Sequence, residues 1–151
     1  MNTIKVTVAQ QENSFHFRGV NAVGHTVDTD NYTGYQSGIG SGVTPMELLI
    51  IAIGACSGID IVDILRKGKQ EITHFDMDVV GKKPKGVAPS LFNSIHITYR
   101  FSGDTTEKRV RRAIELSLGK YCSVAKTLEK TAGISYDYFL NGEHFDGSPL
   151  A

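Results

Sequence analysis

The stretch T44-P-M-E-L-L-I-I-A-I-G-A-C-S-G-I-D-I-V-D-I-L65 is the most apolar part of the chain, and it limits the fold more than any other feature. Its opening reads as a helix start. Thr44 is expected at the N-cap and Pro45 at the first helical position, with Glu47 three residues on to close a capping box. The helix should run to about Leu65 or Lys67. Arg66 and Lys67 suit its C-terminal dipole, and Gly68 is expected to end it. At 1.5 Å per residue the rod is about 30 Å long, the width of a small domain. So long an apolar rod needs cover, from a bilayer or from protein. Glu47, Asp60 and Asp63 lie inside it and would be costly in hydrocarbon, so a buried helix of a soluble protein is expected, with no membrane role. The start M1-N-T-I-K-V-T-V lacks the basic and apolar regions of a signal peptide, which points to the cytoplasm.

The flanking segments are mostly strand-like. Ile4, Val6 and Val8 alternate with polar residues, S14-F-H-F-R-G continues the pattern, and G24-H-T-V-D-T is a third short strand. Residues 30–43 are rich in Gly, Ser, Asn and Tyr and read as a flexible loop. After the long helix, 73–80 and 95–101 alternate as a hairpin. T105-T-E-K-R-V-R-R-A-I-E-L-S-L-G is an amphipathic helix, C122-S-V-A-K-T-L-E-K a shorter one, and I134-S-Y-D-Y-F-L a last strand. The tail 147–151 is expected to fray. Strands in runs rather than in strict alternation with helices give an α+β class with antiparallel sheets, in a single domain over 1–151.

Sixteen basic and sixteen acidic residues cancel, so nothing global points to nucleic acid. The run K108-R-V-R-R is flanked by acids and reads as a solvated helix face. Histidines 16, 25, 74, 96 and 144 stand singly and the cysteines form no C-x-x-C, so neither a metal nor a cofactor is expected. Gly38, Gly40 and Gly42 do not match a phosphate-binding spacing. No feature supports a Cys–His hydrolase.

The two cysteines remain. Around Cys56, residues Leu49, Ala52 and Ile53 are apolar, whereas Asp60 and Asp63 lie one and two turns on. Gly54 and Gly58 flank it within the helix. A helical glycine costs roughly 1 kcal/mol against alanine, so something must come close there. Free cysteine also behaves as a small hydrophobe, and plain burial accounts for Cys56 equally well. Cys122 stands at a predicted helix start near Lys120 and Lys126, where the dipole favours a thiolate. Pattern physics therefore expects Cys122 to ionise more readily. Cys56, with acids on its own face, should have a raised pKa unless a cation reaches it.

G42-V-T-P-M-E-L-L-I-I-A-I-G-A-C-S-G-I-D together with K120-Y-C-S-V-A-K-T-L resembles the OsmC/Ohr superfamily of osmotically inducible and organic hydroperoxide resistance proteins. The resemblance spans nearly the whole chain. It implies an OsmC-like α+β fold, with sheets wrapped around long central helices in an intertwined homodimer. It further implies a stress-response peroxidase in which Cys56 is the peroxidatic thiol and Cys122 the resolving thiol, with an organic hydroperoxide as substrate and a dithiol as reductant. An apolar cleft near Leu49, Ile50 and Ile53 would suit such a substrate. Two features depart from the family's peroxidases. Their helix opens Asn-Pro-Glu, and that glutamate works with an arginine; here Met46 stands in its place, and Glu47 is one position late, roughly 100° around the helix. Arg18 is the arginine that precedes the long helix and is the candidate cation. The alternative is a non-enzymatic homodimeric binding protein for an apolar or thiol-containing small molecule.

Overall fold

The computed structural model describes residues 1–35 and 37–150. The chain separates into two compact units, Met1–Leu49 and Ile50–Ala151, and the boundary falls inside the long helix.

The first unit holds a three-stranded antiparallel sheet of β1 (Val6–Gln10), β2 (Phe17–Asn21) and β3 (Thr26–Thr29), in that order. β2 begins later than the alternation of Phe15 and Phe17 suggests. Glu12 and Asn13 both take φ 50°, and the Gln11 N–H bonds to His16 O at 2.8 Å, so 11–16 is the hairpin connection. In the loop that follows, Asp30 ties the two ends together, and Gln36 lies outside the described residues. The Asp30 carboxylate accepts the N–H of Asn31 at 2.7 Å and of Ser41 at 2.8 Å. A Cβ on Gly42 would stand 2.4 Å from Asp28 O, so only glycine lets the loop lie against β3.

The helix α1 (Pro45–Lys67) starts as its sequence dictates. The Glu47 N–H donates to Thr44 Oγ1 at 3.2 Å, and the Thr44 N–H donates to Glu47 Oε2 at 2.7 Å, which closes the capping box. Its far end differs by one residue from the expectation. Lys69, not Gly68, takes the left-handed conformation (φ 55°). Lys69 N bonds to Arg66 O and Gln70 N to Leu65 O, each at 2.9 Å, which is a Schellman closure.

In the second unit, β4 (Glu71–Lys82) and β5 (Ser94–Asp104) form the expected antiparallel hairpin. α2 (Glu107–Leu116), a wide π-helical turn (Ser117–Tyr121) and α3 (Ser123–Leu128) lead to β6 (Gly133–Leu140) and β7 (Glu143–Asp146). The sheet order is β4-β5-β6-β7. The α+β class holds, but the β5–β6 pair is parallel, unlike the other pairs of this sheet. Parallel neighbours need a crossover, and here the two helices supply it. That crossover carries Cys122 over to α1.

The core follows the alternation of β5. Ile95, Ile97, Tyr99 and Phe101 are buried, with Tyr136 and Tyr138 of β6, Val110, Ala113 and Ile114 of α2, and Ile53, Ile61 and Leu65 of α1. Each large side chain removed from water contributes about 1.5–3 kcal/mol. α1 packs on β4 through its glycines. A Cβ on Gly54 would stand 3.1 Å from Val79 Cγ2, and one on Gly58 would stand 3.1 Å from Met77 Cε. Those β4 side chains are the close neighbours that the two glycines implied. The tail is held rather than frayed as far as residue 148. Arg111 Nη1 donates to Ser148 Oγ at 3.0 Å, and the Ser148 N–H donates to Tyr136 OH at 3.3 Å. Ala151 lies outside the described residues.

Candidate functional site

Cys56 is turned about 200° around α1 from both Gly54 and Gly58, so it points away from the face that packs on β4. Asp60, four residues on, shares its side of the helix. Cys122 reaches the same place from the crossover. It is the N-cap of α3, and its Sγ accepts the Ala125 N–H at 3.3 Å. The wide turn before it closes when the Cys122 N–H bonds to Ser117 O at 2.8 Å. That turn also aims Ser117 at α1. Ser117 Oγ lies 2.9 Å from Asp60 Oδ2 and 3.2 Å from the Ser57 carbonyl oxygen, with its hydroxyl donating.

Cys56 Sγ, Cys122 Sγ and a carboxylate oxygen of Asp60 all lie within 4.8 Å of one another. Both cysteines are free thiols, Cys56 half-buried and Cys122 fully buried. A disulfide needs its sulfurs about 2.05 Å apart, so closure takes an approach of less than about 3 Å. Beneath the pair, Tyr99 OH donates to Ser57 Oγ at 2.9 Å, and Ser57 Oγ donates to Gly54 O at 3.1 Å. Tyr99 and Ser57 are both 0% exposed.

Cys122 does not ionise as readily as its place at a helix start suggests. Burial pushes its thiol up to about 12; the Ala125 N–H opposes this, whereas Cys56 and Asp60 add to it. Desolvation outweighs a single cap hydrogen bond. Ile53, expected beside an apolar cleft, is wholly buried in the core. An open groove of ≈ 670 Å³ along Ala55, Gly58, Ile59, Val62, Phe75 and Met77, with Asp63 and Arg66 also in its lining, lies on the β4-facing side of α1 and not beside Cys56.

Arg18 lies in the first unit, on β2. Its Nε donates to Asp28 Oδ1 at 2.8 Å, and the same oxygen takes His16 Nε2 at 2.6 Å. Glu47 is fully engaged by its own unit. Tyr32 OH donates to Oε1 at 2.5 Å, and Thr44 donates to Oε2 through both its N–H and its hydroxyl. These donors, Tyr32 first, hold the Glu47 carboxyl below its usual range. Ser57, Tyr99 and Ser117 were not singled out by sequence. Serine and tyrosine are too common for position alone to mark them.

A long helix, a mixed sheet and two facing cysteines from distant segments define an α+β dithiol protein. The pattern of the OsmC-like protein family matches residues 38–137, and the chain belongs to that family. Protein YhfA of Escherichia coli (strain K12) is 37% identical over 123 residues, which are 81% of this chain and 87% of that protein. The crystal structure of a hypothetical protein from Aquifex aeolicus VF5 superposes with a TM-score of 0.77 at 28% identity, covering 93% of this chain and 99% of that one. The organic hydroperoxide resistance protein OhrB of Bacillus subtilis has the same fold, with a TM-score of 0.62 at 16% identity over 91% of this chain and 98% of its own.

Proposed function

We propose that this protein reduces organic hydroperoxides with the Cys56–Cys122 pair. The observation that carries the reading is the approach of two sequence-distant free thiols to within 4.8 Å. The Cys56 thiolate attacks the O–O bond of the hydroperoxide. The bond breaks, the alkoxide leaves and takes up a proton to become the alcohol, and Cys56 becomes a sulfenic acid. Cys122 then condenses with it, forming the disulfide and releasing water. A dithiol reductant reopens the disulfide and is itself oxidised to a disulfide. The division of labour follows exposure. Half-buried Cys56 can meet a substrate, whereas buried Cys122 is kept a neutral thiol until the sulfenic acid forms beside it.

The same reading includes a homodimer in the reducing cytoplasm. In one chain α1 leaves Ile51 50% and Ile59 71% exposed, and β1 leaves Val6 and Val8 exposed. Apolar surface on this scale is suited to cover by a second copy. Arg18 has the role of the cation that the family resemblance implies. Arg18→Met should slow peroxide consumption if that role is real, and leave it unchanged if the Asp28 pair is its whole purpose.

A second reading has one specific observation in its favour. Glu47 is occupied by the cap and by Tyr32, and Met46 holds the position of the family's catalytic glutamate. On that reading the dimer binds a small apolar or thiol-containing molecule, and the cysteines are only lining. Stoichiometric cumene hydroperoxide followed by non-reducing peptide mapping separates the two. A Cys56–Cys122 disulfide formed mole for mole with peroxide consumed supports the peroxidase. Two unmodified thiols and unchanged peroxide support binding. In turnover, Cys56→Ser should abolish consumption, whereas Cys122→Ser should stop after one equivalent with a trapped sulfenic acid.

A further inference from the structure

We propose that Cys56, Asp60 and Cys122 form a binding site for a thiophilic divalent cation of the zinc class, open only while the two thiols are reduced. The site is drawn from three donors that sequence spacing does not connect. Cys56 and Asp60 stand four residues apart on one rigid helix, and Cys122 comes from the crossover. Their donor atoms lie within 4.8 Å of one another. Zinc–sulfur bonds of about 2.3 Å and zinc–oxygen bonds of about 2.0 Å put tetrahedral donors roughly 3.3–3.8 Å apart, so a contraction of about 1 Å seats the ion.

Two donors are already oriented by outer hydrogen bonds, as ligands of metal sites are. The Ser117 hydroxyl donates to Asp60 Oδ2 at 2.9 Å and so orients the carboxylate. The Ala125 N–H holds Cys122 Sγ at 3.3 Å, and the Cys122 N–H is tied to Ser117 O at 2.8 Å. Ser117 therefore braces both ligands from one wide turn. Cys56 and Asp60 are half-exposed, which gives the ion a way in and leaves a fourth position for water or a small ligand. Two sulfurs select zinc, cadmium or cobalt over magnesium and calcium, which prefer all-oxygen shells.

Uptake forms two metal–sulfur bonds and one metal–oxygen bond and displaces two thiol protons; no electron moves. The ion and a Cys56–Cys122 disulfide use the same sulfur atoms and exclude each other. The site itself does not depend on the peroxidase reading. If that reading holds, zinc protects the pair from peroxide, and oxidation releases zinc.

The test is a titration of the fully reduced protein with Zn²⁺ against a chromophoric chelator under anaerobic conditions, repeated with Co²⁺ to record its spectrum. One ion per chain, with thiolate-to-cobalt charge transfer and tetrahedral ligand-field bands, is the expected result. Protein closed to the disulfide with diamide should lose that ion, as should wild type alkylated at Cys56. Ser117→Ala, which removes the hydrogen bond that orients Asp60, should weaken zinc binding about 10–100-fold, and Asp60→Asn should weaken it at least as much while circular dichroism stays unchanged. Equal zinc binding by reduced and disulfide forms, or a cobalt spectrum without the thiolate transition, would overturn the site. Unchanged affinity in Asp60→Asn would also overturn it as a three-ligand site. Peroxide is absent throughout, so failure here and failure of the peroxidase reading are separate results.

Discussion

Ser57 follows Cys56 in the chain but turns into the core, where its hydroxyl is the sole hydrogen-bond partner of Tyr99 OH among the described residues. The two groups are not equivalent. Tyr99→Phe removes a donor but leaves Ser57 bonded to Gly54 O, and should cost about 0.5–1.5 kcal/mol. Ser57→Ala strands a buried phenol, which should cost about 1–3 kcal/mol. Urea denaturation at one protein concentration should therefore rank Ser57→Ala as the less stable variant. The opposite order would mean that Tyr99 has another partner in solution. At this scale the sequence was legible where residue type is rare or spacing is helical. Cysteines are few, and Asp60 at four residues from Cys56 shares its helix side by geometry alone. Ser117 carried no such mark. Its role comes from a wide turn that places it against a helix some sixty positions away in the chain (Ser117 to Asp60). The protonation of Cys122 was misjudged for a related reason. A helix start is visible in sequence, whereas burial beneath a second helix is not.

α1 is bounded by two closures of different quality. Its start is a full capping box, legible from Thr44, Pro45 and Glu47 because each contact is local. Its end places a lysine where glycine is preferred. A non-glycine residue in the left-handed region costs roughly 1–2 kcal/mol, partly offset by the about 0.4–1 kcal/mol of chain entropy that a glycine would lose on folding. Lys69→Gly should therefore stabilise the protein by about 0.5–1 kcal/mol, read as a raised denaturation midpoint. A lowered midpoint would mean that the lysine side chain makes a contact worth more than its strain. Two strand features are legible in the sequence. Asn141–Gly142, with φ 48° and 85°, is the tight-turn dipeptide that joins β6 to β7, and E143-H-F-D after it is the returning strand. Likewise β5, two helices and β6 in succession is a crossover pattern, which already implies a parallel pair.

Across the whole molecule the boundary between compact units leaves no linker to read, because Leu49 and Ile50 are consecutive residues of one helix. Charge balance is likewise visible only as a sum in the sequence, whereas the structure pairs it. In the first unit, Asp28 is held below its ordinary range by His16 and Arg18, and Glu47 by Tyr32 and Thr44. In the second, His74 and Arg100 lower Asp76, Arg100 lowers Asp78, and Tyr138 and Arg111 lower Glu107. Each folded carboxyl thus titrates below its unfolded value, 3.8 for aspartate and 4.5 for glutamate. As pH falls, the unfolded chain takes up protons first, so the stability from these groups is complete above that range and is lost as acid approaches the folded values. Urea midpoints measured from about pH 6 down to about pH 3 should fall steadily in the lower half of that window. Salt should distinguish the contributors. The Arg18–Asp28 and Arg100–Asp76 pairs are exposed and screened, whereas Glu47 is held by neutral hydroxyl and N–H donors. In about 1 M salt, where the Debye length is about 3 Å, the acid slope should shrink without vanishing, and Glu47→Gln should remove part of what remains, the Asp30 carboxylate with its Asn31 and Ser41 N–H donors keeping its own share. A slope that salt abolishes would mean that the capping box does not hold Glu47 ionised, and that α1 begins less firmly than its hydrogen bonds require.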